Sequence, residues 1–464
     1  MKKLIGNRQF YKMVLLVAVP IMIQNGITNF VGMLDNIMVG QVGTAQMSGV
    51  AIINQLMLVF NITIFGAVSG AGIFGAQYYG CKDYEGVRNA FRYKMMVCLG
   101  IVFLAVILFI CKGDALISLY LNESGNEAEQ ALTLKYAGQY LMVMLFGLLP
   151  FAIEQVYSST LRETGETVLP MKAGIVAVLV NLVLNGILIF GMFGFPKLGV
   201  IGAAIATVIS RYIQTAIVII WTHKHLAGHD TTREPFMKGV YAHFKVPGYL
   251  AWRITKNGTP LLINEALWSL GMATIMQCYS IRGLSVVAAL NISNTINNVF
   301  SVVCMALGSA IAIIVGQMLG AGEMEKARDS ATKLIFFSVA ANVVIGLLMA
   351  SISGIFPQIY NTSQDVKALA AKLIVIAAAL MPFNAFTNAS YFTLRSGGKT
   401  VVTFLFDSVF VWVVSIPTAY ILSRYTGLTI LPLYLICQSL EIIKCVIGFL
   451  LVKKGIWIQN MTQK

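Results

Sequence analysis

Charge is what this chain has least of. Only 11% of its 464 residues are Asp, Glu, Lys or Arg, and 58% are hydrophobic, whereas an average soluble domain is about 25% charged. A soluble fold is excluded, because too few polar side chains remain to cover an aqueous surface. Catalytic signatures are missing as well. There is no H-E-x-x-H and no G-x-S-x-G, which removes support for the commoner hydrolytic chemistries. Gly398-Lys399-Thr400 resembles the end of a phosphate-binding loop, but Thr393 stands where the first glycine belongs and no β-strand precedes it. The chain is therefore expected not to be an enzyme and to use no cofactor, which leaves an ion gradient as its energy source. The seven cysteines form no C-x-x-C and mostly fall inside apolar runs, so they read as packing residues. His223, His225, His229 and His243 share one basic segment without Cys or carboxylate partners, and no metal site is expected among them.

Long apolar runs are what the chain does have. About 20 apolar residues cross roughly 30 Å of hydrocarbon, and twelve such runs are present, near residues 13–38, 48–78, 93–111, 136–160, 171–192, 199–221, 257–281, 286–318, 334–356, 370–393, 401–423 and 429–452. Of the 33 Lys and Arg, twenty-four fall in the tails and even-numbered connections, Arg88, Arg92 and Lys94 among them, seven in the odd-numbered ones, and only Arg211 and Lys444 deep inside spans. Lys94, Lys172 and Lys372, at the first residues of their spans, are counted with the connections. The positive-inside rule then puts both termini in the cytoplasm. The formal net charge of +14 is a consequence of topology, and no nucleic-acid partner is expected. Lys2 and Lys3 precede an apolar run without a small-x-small cleavage site, so that run reads as the first span.

The chain also repeats itself. L-R-E-T-G-E-T at residues 161–167 returns as L-R-S-G-G-K-T at 394–400. Pro20 returns as Pro260, Pro150-Phe151 as Pro382-Phe383, and Gln77 with Gly80 as Gln317 with Gly320, at offsets of 232 to 240. Six spans per half is an even number, so both halves enter from the same side as parallel repeats. The expected organisation is an N-terminal six-helix bundle over 1–222, a cytoplasmic linker over 223–256 and a C-terminal six-helix bundle over 257–464. The fold class is an all-α polytopic membrane protein.

Five carboxylates fall inside the spans: Asp35, Glu154, Glu265, Asp407 and Glu441. Each costs about 2.5–3.5 kcal/mol at a helix centre, so each requires a reason. Glu441 has Lys444 three residues on, and the two can pair along one face. Arg211 reads as a snorkelling side chain near a helix end. Asp35 and Glu265 have no such neighbour. Desolvation penalises their charged forms, which suits them to take up a proton or a sodium ion. Asn181 and Asn185, four apart, offer amide oxygens beside Asp35. Gln24, Asn25, Asn54, Asn61, Asn291, Asn294 and Asn298 form polar stripes able to line a substrate cavity together with Asn384 and Glu154, and Glu154 and Asp407 read as entrance or supporting residues. Gly199, Ala203 and Thr207, flanked by Gly202, Ala206 and Ser210, form a small-residue stripe that lets helices approach closely. The 22 methionines suit an adaptable pocket but are mostly core or lipid-facing.

The paired L-R-x-x-G-x-T loops carry a resemblance together with the segment from Pro20 to Gly40 that ends D-N-I-M-V-G, V-G-Q-M-L-G-A-G after the eighth span, and L-G-V-I-G-A-A-I-A-T-V-I-S-R in the sixth. In that order the chain resembles the multidrug and toxic compound extrusion (MATE) family over essentially its whole length. The resemblance implies two six-helix bundles forming a V, and cation-coupled export of organic, often cationic, compounds from the cell, with membrane lipids as surroundings and a monomeric state. Asp35 matches the acid of the first span on which proton or sodium coupling centres, Asn181 an amide of the same site, and Glu265 the acid of the seventh span in the branch with a second cation site. Asn185 and Asn384 stand where some members carry further acids. The rival readings are a flippase for lipid-linked or amphiphilic substrates and an uncoupled channel.

Overall fold

The computed structural model describes residues 4–120, 127–228 and 235–463. Lys2, Lys3, His229, Arg233 and Lys464 lie outside them. Among the described residues the regular structure is helical throughout, with no strand. The chain order is α1 (Arg8–Gly40), α2 (Thr44–Gly80), α3 (Tyr84–Ser118), α4 (Glu127–Leu145), α5 (Leu148–Glu163), α6 (Val168–Phe190), α7 (Val200–Leu226), α8 (Gly248–Ser280), α9 (Leu284–Gly320), α10 (Met324–Ser351), α11 (Gln364–Ser396), α12 (Thr400–Phe404), α13 (Ile416–Tyr425) and α14 (Ile430–Lys454). Among the described residues ten runs are long and apolar enough to cross a membrane, with α12 and α13 joined through π-helical turns into one of them, and the bent pair α4–α5 makes an eleventh if it counts as one span. The remaining long helix is α8, with 33 residues. Its length is ample, but Lys256, Asn257, Asn264 and Glu265 dilute its apolar sequence.

Several helices outrun the bilayer. At 1.5 Å per residue the 37 residues of α2 and α9 reach about 55 Å, well beyond the roughly 30 Å hydrocarbon core. Arg88, Arg92 and Lys94, expected in a connection, therefore sit in the first turns of α3. The expected fourth span is broken at Phe146–Gly147, where α4 and α5 diverge by 48°. Pro150 contributes no N–H to that turn, and side chains of α7 bond to carbonyls beside the break. Arg211 Nη1 donates to Gly147 O at 3.2 Å and Thr215 Oγ1 to Pro150 O at 2.8 Å. Arg211, expected to snorkel, is thus turned inward and also lies over the Phe151 ring at 4.9 Å. Arg211→Met is expected to remove this charged hydrogen bond and leave the Gly147 carbonyl with the Phe151 N–H alone, at 3.3 Å, at a cost of about 1.5–3 kcal/mol, read as faster heat inactivation of the purified protein.

Contacts group the chain into two compact units. One holds residues 1–22, 76–82 and 256–464; the other holds 23–75 and 83–255. This differs from the expected division at 222 and 256 in two respects. The first turns of α1 and the last turn of α2 belong with the later half. The described part of the linker is docked, not free: Arg92, 1% exposed, donates to Val240 O at 2.8 Å and Gly239 O at 3.1 Å, and Phe236, Met237 and Val240 are buried. Arg92 therefore does more than set orientation.

The repeated Gln-x-x-Gly has a physical role in the first unit. The ends of α2 and α9 cross there, so that a Cβ on Gly80 would meet the Gln317 carbonyl and a Cβ on Gly320 the Gln77 carbonyl. Only glycine permits this backbone approach, and it does so twice, once from each repeat. The Gln77 amide then holds the C-terminal tail, donating to Ser396 O at 2.9 Å and Gln459 O at 3.3 Å and accepting from Met461 N at 2.5 Å. Gly320→Val is expected to destabilise the protein by about 1–3 kcal/mol through overpacking, visible as a lower melting temperature in detergent.

Candidate cation and substrate sites

The first site is built where α7 approaches α6. Gly202 lets the helices close, since a Cβ there would meet Leu188 O at 2.5 Å, and the same small-residue stripe carries Thr207 toward Asn181. On α6, Asn181 and Asn185 are 5% and 1% exposed and lie on one face by their four-residue spacing. Asp35 of α1 meets them, accepting from Asn185 Nδ2 at 2.6 Å. The Asn181 amide is oriented by its surroundings: its nitrogen donates to Asp35 Oδ1 at 2.9 Å and its oxygen accepts from Thr207 Oγ1 at 3.3 Å. Asn185 Oδ1 is buried without a hydrogen-bond partner. A carboxylate, two amide oxygens and a hydroxyl thus converge with one acceptor unsatisfied, a donor set that suits a proton or a hard monovalent cation.

The second constellation lies in the other unit and is larger than expected. Asp407 sits in a π-helical turn, Leu405–Val409, a local widening frequent at functional sites. Its Oδ2 accepts from Asn264 Nδ2 at 3.2 Å and its Oδ1 from Lys444 Nζ at 3.0 Å. Lys444 also reaches Glu441 Oε1 at 3.4 Å, so the expected Glu441–Lys444 pair is shared with Asp407. Ser408 Oγ donates to Asn264 Oδ1 at 2.7 Å, and Trp412 Nε1 to Leu267 O at 2.9 Å. Glu265, half-buried beside Asn264, has no hydrogen bond to another described residue.

The expected cavity residues divide. Asn54, Asn291, Asn294, Asn298 and Asn384 are exposed, Asn25 is half-buried, and Gln24 Oε1 and Asn61 Oδ1 are buried without partners. Glu154 sits as a supporting residue would. It is 3% exposed on α5, its carboxylate bonded to Ser158 and, at 2.8 Å, to Gln155, so neighbouring side chains enclose it. Sequence reasoning missed Thr207 as a partner of Asn181, seeing only its small size, and missed Asn264, whose partner Asp407 lies 143 residues away. Among the described residues no three His, Cys, Asp or Glu side chains gather as a metal site. His223 is instead 2.9 Å from the Tyr157 hydroxyl.

Residues 20–187 and 260–421 match the MatE family, two stretches that divide as the internal repeat does. The chain belongs to the MATE family. Relatives of this MATE protein include a probable multidrug resistance protein NorM of Thermotoga maritima, 27% identical over 452 residues that cover 95% of this chain and 91% of that one. Another is the probable multidrug resistance protein YoeA of Bacillus subtilis, 28% identical over 425 residues, covering 90% and 88%. Two solved structures share the fold. An outward-facing multidrug resistance MATE family transporter of the MOP superfamily has a TM-score of 0.83 at 18% identity, covering 98% of each chain, and the Vibrio cholerae MATE transporter VcmN has 0.86 at 17%, covering 97% and 98%. The twelve-helix, two-repeat membrane architecture expected from the sequence is that of MATE transporters, and this MATE chain is a membrane-embedded transporter.

Proposed function

We propose that this transporter exports organic, mainly cationic, small molecules across the plasma membrane by alternating access, driven by an inward proton or sodium gradient. It works as a monomer with both termini cytoplasmic. The observation that carries this reading is Asp35, a carboxylate within the bilayer whose described partners are amides, with no Lys or Arg bonded to it. Ionised, it is held by donated amide N–H groups. When a proton or sodium ion neutralises it, Asn181 turns its oxygen inward, the Asn185 oxygen gains a partner, and the contact between α1 and α6 is remade. That rearrangement lowers substrate affinity and permits the return step, because a cation shifts the equilibrium only through its different affinity for the two states. Glu265 is the second acid able to respond.

A flippase for pyrophosphate-linked lipids needs basic side chains free to hold its substrate. Arg211 is engaged with Gly147 and Phe151, and Lys444 with Asp407 and Glu441, which counts against that function. Proteoliposomes of the purified protein test the proposal: substrate release should accelerate when a proton or sodium gradient is imposed, and substrate should displace bound cation. Steady single-channel conductance indifferent to substrate would instead make the protein a channel.

A further inference from the structure

The two halves treat their intramembrane carboxylates in opposite ways. When the final helices are set in register at the 233-residue offset of the repeated loops, Lys444 of α14 stands against Arg211 of α7. Each half thus carries one basic residue at the same place. Arg211 is spent on the Gly147 carbonyl and the Phe151 face, and Asp35 is left to neutral partners. Lys444 goes the other way. Its side chain is 5% exposed, with Nζ 3.0 Å from Asp407 and 3.4 Å from Glu441, and it lies 5.6 Å from the centre of the Phe406 ring and 5.9 Å from that of Phe410. Two carboxylates and two aromatic faces form a complete cation shell. The shell is built, because Asn264 fixes the far oxygen of Asp407 and is itself fixed by Ser408.

We propose that the Lys444 ammonium is a tethered cation that fills the Asp407–Glu441 site and so keeps a mobile cation out of it. Lys444 is a specificity-determining residue: it touches no transported molecule but decides how many cations the protein takes. The idea deepens the coupling mechanism proposed above and rests on it for its consequence. A lysine head of one positive charge, delivered from α14, does for α8 and the π-helical turn what a sodium ion would do. Since the tether cannot leave, the Asp407–Glu441 site contributes no cation to the cycle.

The test is radioactive-sodium binding to the purified full chain at alkaline pH, where protons compete least. Asp35→Asn serves as the background, so that binding at the first site does not interfere. Adding Lys444→Met should create sodium binding of one ion per molecule that Asp35→Asn alone lacks, and adding Asp407→Asn should remove it again. Lys444→Arg should gain nothing. Lys444→Gln, which keeps a donor for Asp407, replaces the methionine variant if that protein is not monodisperse. No sodium gain in a monodisperse variant overturns the proposal, and so does loss of fold in both variants, which would make Lys444 a strut. The coupling mechanism fails separately, if Asp35→Asn still exports with the gradient dependence of the wild type.

Discussion

Asp35→Asn should leave a folded transporter whose export no longer responds to an imposed proton or sodium gradient. The substitution is nearly isosteric and removes one negative charge from a site whose described partners, Asn185 at 2.6 Å and Asn181 at 2.9 Å in its donating orientation, are themselves neutral. The side chain can still bond to the amides, so helix packing is preserved and the loss falls on cation binding. Coupling free energies between two ligands are typically about 1–3 kcal/mol, or roughly 5- to 150-fold in affinity, and are reciprocal. The variant should therefore lose a cation-dependent shift in substrate affinity of that size, and with it the gradient response and the ability of substrate to displace cation. Both are measured in proteoliposomes with imposed gradients, the second by cation release on adding substrate. Asn185→Ala should give a smaller loss, because the acid remains while one donor goes. If Asp35→Asn and Glu265→Gln each keep the wild-type gradient response, neither acid couples and the mechanism is wrong.

How much of this was legible beforehand depended on whether the signal was local. Apolar runs declared the spans, because hydrophobic length is a property of contiguous residues. The break at Gly147 was not declared, since a bend inside an apolar run leaves composition unchanged. The repeated loops were visible as letters, and their cause is backbone geometry: Gly165 and Gly398 both adopt left-handed φ values, +90° and +74°, at the ends of α5 and α11, as helix-terminating glycines do. Asp35 with Asn181 and Asn185 could be inferred because an unpaired acid in hydrocarbon demands partners. Lys444 was read correctly as the partner of Glu441, but only in part. A partner three residues away explained it sufficiently, and nothing local pointed to Asp407 across the fold. The repeat also concealed a difference, because Glu163 of the first loop aligns with Ser396 of the second.

That difference carries the largest expected stability effect. Glu163 forms a buried pair with Lys94, both of its oxygens 2.6 Å from Nζ, and the ammonium also donates to Ser159 Oγ at 3.2 Å and Thr160 Oγ1 at 3.1 Å. Lys94 is fully buried and Glu163 8% exposed. The pair has room because α2 presents Gly72 and Gly75, where any Cβ would press on the Glu163 carboxylate. Removing one partner strands the other charge away from water, and breaking a buried pair in this way costs about 3–5 kcal/mol. Lys94→Met should accordingly shorten the half-life of the purified protein at elevated temperature more than any other single change considered for this chain. The double variant Lys94→Met/Glu163→Gln should recover most of that loss, because no charge is then left buried, and the coupling between the two sites is what a double-mutant cycle measures. Additive losses would mean that the pair is not the source of stability and that packing around the two glycines is. The second half, with Ser396 in place of the acid and its carbonyl given to Gln77, joins α2 at the equivalent loop without a charge. Its neutral substitutions should therefore be tolerated far better than the loss of Lys94.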